Sequence, residues 1–187
     1  MKKLITGFAA LLMALTSLTL TSCDPDSDIA YTLWGTWQGD IYAVRQWNGS
    51  YYYASYSQIA FDHDPSTRSS GTGYWVDYFS GAPWDYLASH IQWTVVNGEI
   101  HVYFVEDDYS VVICDYRLSD YRFEGYIYVE DGTEQAFSLQ KTSSPDWDSF
   151  YYGYDSGYYG YSNRARGMKA ATADATAERP LRLFMKP

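Results

Sequence analysis

Residues 86–105 read "YLASHIQWTVVNGEIHVYFV". The pair at its centre, Asn97-Gly98, decides how the rest is read. Asn-Gly supplies the positive φ angles that a tight hairpin turn needs. Before it, Leu87, Ile91, Trp93 and Val95 alternate with His90, Gln92 and Thr94. After it, Ile100, Val102 and Phe104 recur at every second position. A period of two puts one apolar face against a core and one polar face in water. The stretch therefore predicts two antiparallel strands, Tyr86–Val95 and Glu99–Val105, joined by a hairpin.

The same pattern recurs along the chain. "WNGS" at 47–50 and "EDGTE" at 130–134 are further turn signals. They and the intervening periodicity predict six more strands: Leu33–Val44, Tyr51–Phe61, Gly71–Phe79, Ser110–Leu118, Arg122–Val129 and Gln135–Thr142. The first places Leu33, Gly35, Trp37, Gly39, Ile41 and Ala43 on one face, and the seventh places Phe123, Gly125, Ile127 and Val129 on one face. No stretch of the body carries a helical period. Short sequential connections imply an antiparallel meander, and eight such strands remove their edges by closing. The expected class is all-β, an eight-stranded up-and-down barrel over residues 31–145. A β-sandwich is the alternative, but it needs longer crossing connections than this chain offers.

Composition narrows the function. The chain holds 21 tyrosines and seven tryptophans, residues that favour strands. From Cys23 to Tyr161 there are 21 acids against five bases, Arg45, Arg68, Arg117, Arg122 and Lys141. Such a body repels phosphate backbones, so no nucleic-acid partner is expected. Residues 162–187 carry six bases and two acids and read as a basic, flexible tail in which "LRLF" is poorly ordered. Residues 146–161 form a Tyr/Gly-rich, low-complexity segment that either acts adhesively or lies along the barrel.

The N-terminus gives an address. Met1-Lys2-Lys3 precedes an apolar run from Leu4 to about Leu20, the layout of a secretory signal peptide over residues 1–22. The boundary, Leu20-Thr21-Ser22-Cys23, resembles the bacterial lipobox. That resemblance implies a diacylglycerol on the Cys23 thiol and a mature chain beginning at Cys23. Lipid chains contribute roughly 0.8 kcal/mol per buried CH2, so two or more make a stable anchor. The expected partner is thus a membrane, reached through lipid, at the outer membrane or surface of the cell envelope. Residues 23–30, with Asp24, Asp26 and Asp28, read as an extended acidic tether. With Cys23 committed to lipid, Cys114 has no intramolecular partner and reads as a small buried residue.

Within "LWGTWQGD", Gly35-Thr36-Trp37 resembles the Gly-x-Trp signature on the first strand of lipocalins. The resemblance implies that Trp37 closes the barrel's base and that a basic residue of the last strand, here Lys141, packs across it. Lipocalins usually carry arginine there, and this chain lacks their C-terminal helix and other sequence blocks. The whole chain is more similar to small lipocalin-like lipoproteins of Gram-negative gut bacteria. The resemblance covers about residues 30–145.

Catalytic arrangements are scarce. The chain has no nucleophile elbow, no zinc-protease helix motif and no phosphate-cradling glycine loop. His90 and His101 sit on the outward phase of adjacent strands and would meet across the hairpin, yet a metal would need further ligands. Asp62, His63 and Asp64, and Glu106, Asp107 and Asp108, read as acidic solvated turns rather than calcium loops. No cofactor and no metal are expected. Inward aromatics supply apolar walls with hydrogen-bonding tips. Tyr53, Trp93, Phe104, Tyr116 and Phe123 are the candidate lining residues of a pocket, unless the barrel is simply filled. Trp34, Tyr42, Tyr126 and Tyr128 would offer outward faces.

The sequence thus predicts a lipid-anchored, non-catalytic envelope protein that binds a small apolar, glycan or peptide ligand. The alternative is a structural or adhesion subunit acting on an unknown protein partner through its aromatic faces. A glycan-processing enzyme would require two facing carboxylates.

Overall fold

A computed structural model of the chain describes residues 24–129, 131–153 and 180–184. The signal peptide, Cys23, the second half of the Tyr/Gly-rich segment and most of the basic tail lie outside the described residues.

Eight strands close into an antiparallel barrel: β1 (Gly35–Asp40), β4 (Tyr56–His63), β5 (Ser70–Tyr78), β6 (Tyr86–Val96), β7 (Glu99–Phe104), β8 (Tyr109–Leu118), β9 (Arg122–Tyr128) and β10 (Glu134–Thr142). β1 bonds both β10 and β4, which closes the ring and excludes the sandwich. At the β6–β7 turn, Asn97 and Gly98 have φ of 54° and 82°. Both therefore sit in the left-handed region that this turn demands.

The two N-terminal strands of the prediction each divide. β1 ends at Asp40, Tyr42 takes a φ of 58°, and the chain leaves the barrel as β2 (Ala43–Trp47). The Asn48-Gly49 turn returns it as β3 (Ser50–Tyr53) before it re-enters at β4. β2 and β3 make a second sheet with β11 (Leu181–Phe184), in the order β11-β2-β3. The "LRLF" segment is thus an ordered strand, contrary to the expectation of a loose tail. Its alternation places Arg182 and Phe184 on one face, where both are buried.

The acidic tether is likewise corrected. Residues Pro25–Leu33 form helix α1. Asp24 accepts from the Asp26 N–H as N-cap, Pro25 stands at the first turn, and Asp26 and Asp28 lie where the helix dipole favours negative charge. Ala30 and Leu33 are fully buried beneath it. The Asp26 carboxylate also accepts from the N–H groups of Asn97, at 2.9 Å, and Gly98, at 2.7 Å.

α1 therefore closes the barrel end at which β6 finishes. The β11-β2-β3 sheet covers the opposite end, where β6 begins and β7 meets β8. One continuous apolar core runs between them, from Ala30 and Leu33 through Trp37, Phe61, Phe123 and Trp75 to Phe184. A short 3-10 turn, Trp147–Ser149, follows β10 and starts a segment laid over the outer face of β5 and β6. Trp147 stacks on Tyr74 at 5.2 Å, and Tyr152 bridges to Ala88.

Candidate functional site

Gly35, Trp37 and Lys141 meet at the α1 end. Trp37 is fully buried, and its indole N–H donates to the Leu33 carbonyl at 2.7 Å. Lys141 faces Trp37 in register, with Nζ 5.0 Å from the centre of its ring. That is cation–π range. Gly35 has φ of 120°, and a Cβ there would stand 2.8 Å from Lys141 Cε. Glycine thus allows both the backbone conformation and the approach of the lysine.

The five pocket candidates do not surround a common space. Trp93, Phe104 and Phe123 are buried and spend their faces on other rings: Trp93 on Phe61, Phe104 on Trp75, Phe123 on Trp37 and Phe137. Tyr116 is half-buried, edge-on to Phe123, and its hydroxyl donates to the Gly98 carbonyl. Burial, then the nearby Asp26 charge, push its phenol up to about 12. Tyr53 belongs to β3, outside the barrel, and is 60% exposed. Trp93, Phe104 and Phe123 thus pack into the core and Tyr116 packs against it, while Tyr53 stands outside the barrel. Of the outward aromatics, Trp34, Tyr42 and Tyr126 are exposed and Tyr128 is half-buried.

The polar expectations also shift. His90 and His101 do not meet, because the register sets Thr94 opposite His101. His90 pairs instead with Glu106, and His101 with Glu99. Asp64 caps its own turn through Ser66, and His63 lies 3.4 Å from the Arg68 carbonyl. Cys114 is half-buried rather than buried, and its thiol is pushed up by burial first and then by Asp115. Among the described residues, no group of three or more His, Cys, Asp or Glu is arranged to hold a metal ion.

Asp107 departs furthest from the solvated turn predicted for it. It accepts two bonds from the Arg45 guanidinium, at 2.9 and 3.1 Å, and one from Arg182 Nε at 2.9 Å. Arg182 Nη1 donates to Asp77 Oδ2 at 2.6 Å, and Asp77 also accepts from Ser57 and Trp75. Two guanidiniums and two carboxylates thus neutralise each other beneath the small sheet. Burial would raise the Asp107 pKa, but Arg182 and Arg45 outweigh it and hold the carboxyl well below the usual range. Burial would also lower the Arg182 pKa, yet Asp77 and Asp107 raise it; at Arg45, burial and the Arg182 charge prevail and lower it. Sequence reasoning missed this cluster. A signal existed, since Arg45 is a rare base in an acidic body and "LRLF" has strand periodicity.

A separate concave feature is an open cleft of about 490 Å³ across the outer face of β5–β8. Strand register builds it from two outward rows. One is Thr72, Gln92, Tyr103 and Ser110; the other is Ser70, Thr94, His101 and Val112. Asp64 stands at its edge, and Trp93 lies beneath, its indole N–H held by the Thr72 carbonyl at 2.9 Å. Gly71, in register with Trp93, makes room for that ring, because a Cβ there would come within 2.9 Å of it and closer still to the Asp62 carbonyl oxygen. The cleft presents hydroxyls, a carboxamide, an imidazole and a phenol. No activated nucleophile stands among them.

No protein-family model and no curated protein matches the chain. Among solved structures, it is similar to a redesigned β-barrel, at 16% identity and a TM-score of 0.38, over 61% of this chain and 95% of that one. The class of the molecule, a closed eight-stranded antiparallel barrel, rests on its own strand pairing.

Proposed function

We propose that this protein is a lipid-anchored, non-catalytic binding protein of the bacterial envelope, lipocalin-like in build, whose ligand sits on the outside of the barrel. The observation that carries the reading is the β5–β8 cleft, open beside an interior already filled by aromatic rings. Its hydroxyl, amide and imidazole groups match a polyhydroxylated ligand, and the Tyr103 ring offers a flat face. A glycan is therefore the favoured ligand class. The pairing of Trp37 with Lys141 supports the lipocalin-like build.

The lipobox at Leu20–Cys23 supports the anchor. α1 begins at Pro25, so lipid on Cys23 would hold the α1 end of the barrel close to the membrane. Tyr31, Trp34 and Tyr121 are exposed at that end and suit the headgroup layer.

Two measurements test the reading. Lipidation predicts an intact mass raised by acyl chains in protein extracted from its host, and loss of that increment in Cys23→Ser. Glycan binding predicts amide shifts at Thr72, Gln92, Tyr103 and Ser110 when neutral oligosaccharides are titrated into the barrel, and their loss in a Gln92→Ala, Tyr103→Ala variant. Shifts absent with every oligosaccharide would remove the glycan reading.

A further inference from the structure

β11 reaches the fold differently from every other strand. It is an edge strand of its sheet and, among the described residues, pairs with β2 alone. The 26 residues 154–179 separate it from Gly153. Yet Gly153 and Pro180 line the same small space beside Asp107. That much chain can span roughly 90 Å at about 3.5 Å per residue. The connection is far longer than its ends require, so it does not oblige β11 to pair with its own barrel.

The groups that receive β11 all belong to the barrel and to β2. Asp77, Asp107 and Ser89 meet the Arg182 guanidinium, at 2.6, 2.9 and 3.4 Å. The Phe104 ring lies 4.1 Å from its central carbon. Phe184 enters between Trp75 and Tyr109, stacked on the latter at 13°. The Arg45 guanidinium donates to the Pro180 carbonyl at 3.2 Å. Among the described residues, removing β11 would leave Arg45 as the guanidinium beside both Asp77 and Asp107. The remaining face would be an acidic slot beside an open strand edge and an aromatic notch.

We propose that this end of the barrel is an acceptor site for an extended peptide strand with arginine and phenylalanine two residues apart, and that β11 of a second copy of this chain can occupy it. Backbone pairing to β2 supplies affinity, as in other strand additions, and the alternate side chains supply specificity. Arginine is read by its planar fork, which lysine does not reproduce.

The test uses the full chain with a specific protease site placed at residues 163–169. After cleavage, native mass spectrometry should find the C-terminal fragment still bound. Isotope-labelled peptide 180–187 should then replace it. The same peptide with Arg182→Ala should compete worse by on the order of 30-fold or more, the effect of removing one partner of a buried charge pair. Uncut wild type should form a dimer as its concentration rises, and Arg182→Ala chain should not. Loss of the fragment from a folded barrel, collapse of the barrel on cleavage, or equal competition by both peptides would overturn the acceptor site. Peptide exchange with no dimer at any concentration would overturn the second copy as occupant.

Discussion

Arg182 on the last strand donates to Asp77 on β5 at 2.6 Å, across 105 residues of chain, with both side chains buried. Asp77 faces a second guanidinium only at 4.0 Å, from Arg45. Its compensation therefore depends on a residue almost at the end of the chain. Breaking one side of a buried pair costs about 3–5 kcal/mol, because the partner's charge stays buried. Arg182→Met should lower stability by that amount in urea unfolding. Leu181→Ala, on the same strand but 56% exposed, should change it by less than about 0.5 kcal/mol. Equal effects of the two substitutions would mean that strand pairing, not the ion cluster, holds β11.

Acid should undo the same cluster. Burial works against the Asp107 carboxylate, but Arg182 and Arg45 more than offset it, so its folded pKa lies below the unfolded value of about 3.9. A depressed carboxylate contributes stability that is complete above the unfolded pKa. That contribution is lost as pH falls toward the folded pKa. Stability should therefore be flat down to about pH 5 and then decline by up to about 1.4 kcal/mol per pH unit for this one group. Urea midpoints measured from pH 6 downward should show that decline. In Asp107→Asn the decline should be shallower, from a lower starting stability. An unchanged slope would assign the acid sensitivity to other carboxylates.

The barrel was legible where local pattern and local pairing coincide. Leu87 to Phe104 alternates around Asn97-Gly98, and the two strands pair with each other. Leu33–Val44 alternates just as well but does not stay in one sheet, because the positive φ of Tyr42 turns the chain out at a residue with no glycine signal. Asp24-Pro25-Asp26 is a helix-start signature, yet its acidity reads as a tether until Ala30 and Leu33 are seen buried. The Arg182–Asp77–Asp107–Arg45 cluster joins residues far apart in sequence, and periodicity carries no information about such contacts. Trp93 and Phe104 were correctly placed inward. Whether inward rings fill a barrel or line it depends on how they pack across it.

Asp26 fixes α1 to the barrel by a contact that sequence pattern does not announce. Its two carboxylate oxygens take the N–H groups of Asn97 and Gly98, the pair at the turn of the β6–β7 hairpin. Hydrogen bonds to a charged acceptor contribute about 1.5–3 kcal/mol each at most, and less where partly exposed, as these are. Asp26→Ala should cost about 1–3 kcal/mol and raise hydrogen exchange at the Asn97 and Gly98 amides. Asp28→Ala removes only a favourable dipole interaction and should cost about 0.3–1 kcal/mol, with those amides unchanged. Protection retained at both amides in Asp26→Ala would show that α1 is held by Ala30 and Leu33 alone.

Alkali should weaken the barrel as well. Tyr116 donates to the Gly98 carbonyl at 2.7 Å, and burial followed by the Asp26 charge raises its phenol to about 12. Tyr78 is raised to about 12 as well, by burial and then by its neighbours Tyr56 and Tyr86. In the unfolded chain both titrate near 10. The folded state thus keeps protons that the unfolded state releases. This contribution is complete below about pH 10 and is lost between about 10 and 12. Denaturation midpoints should fall across that window in the wild type. The fall should be smaller in Tyr116→Phe and smaller again in Tyr116→Phe with Tyr78→Phe. At pH 8 Tyr116→Phe should cost only about 1 kcal/mol, the ordinary value of one hydrogen bond, since the ring still packs on Phe123. Parallel pH curves for all three proteins would remove these phenols as the source of alkaline sensitivity.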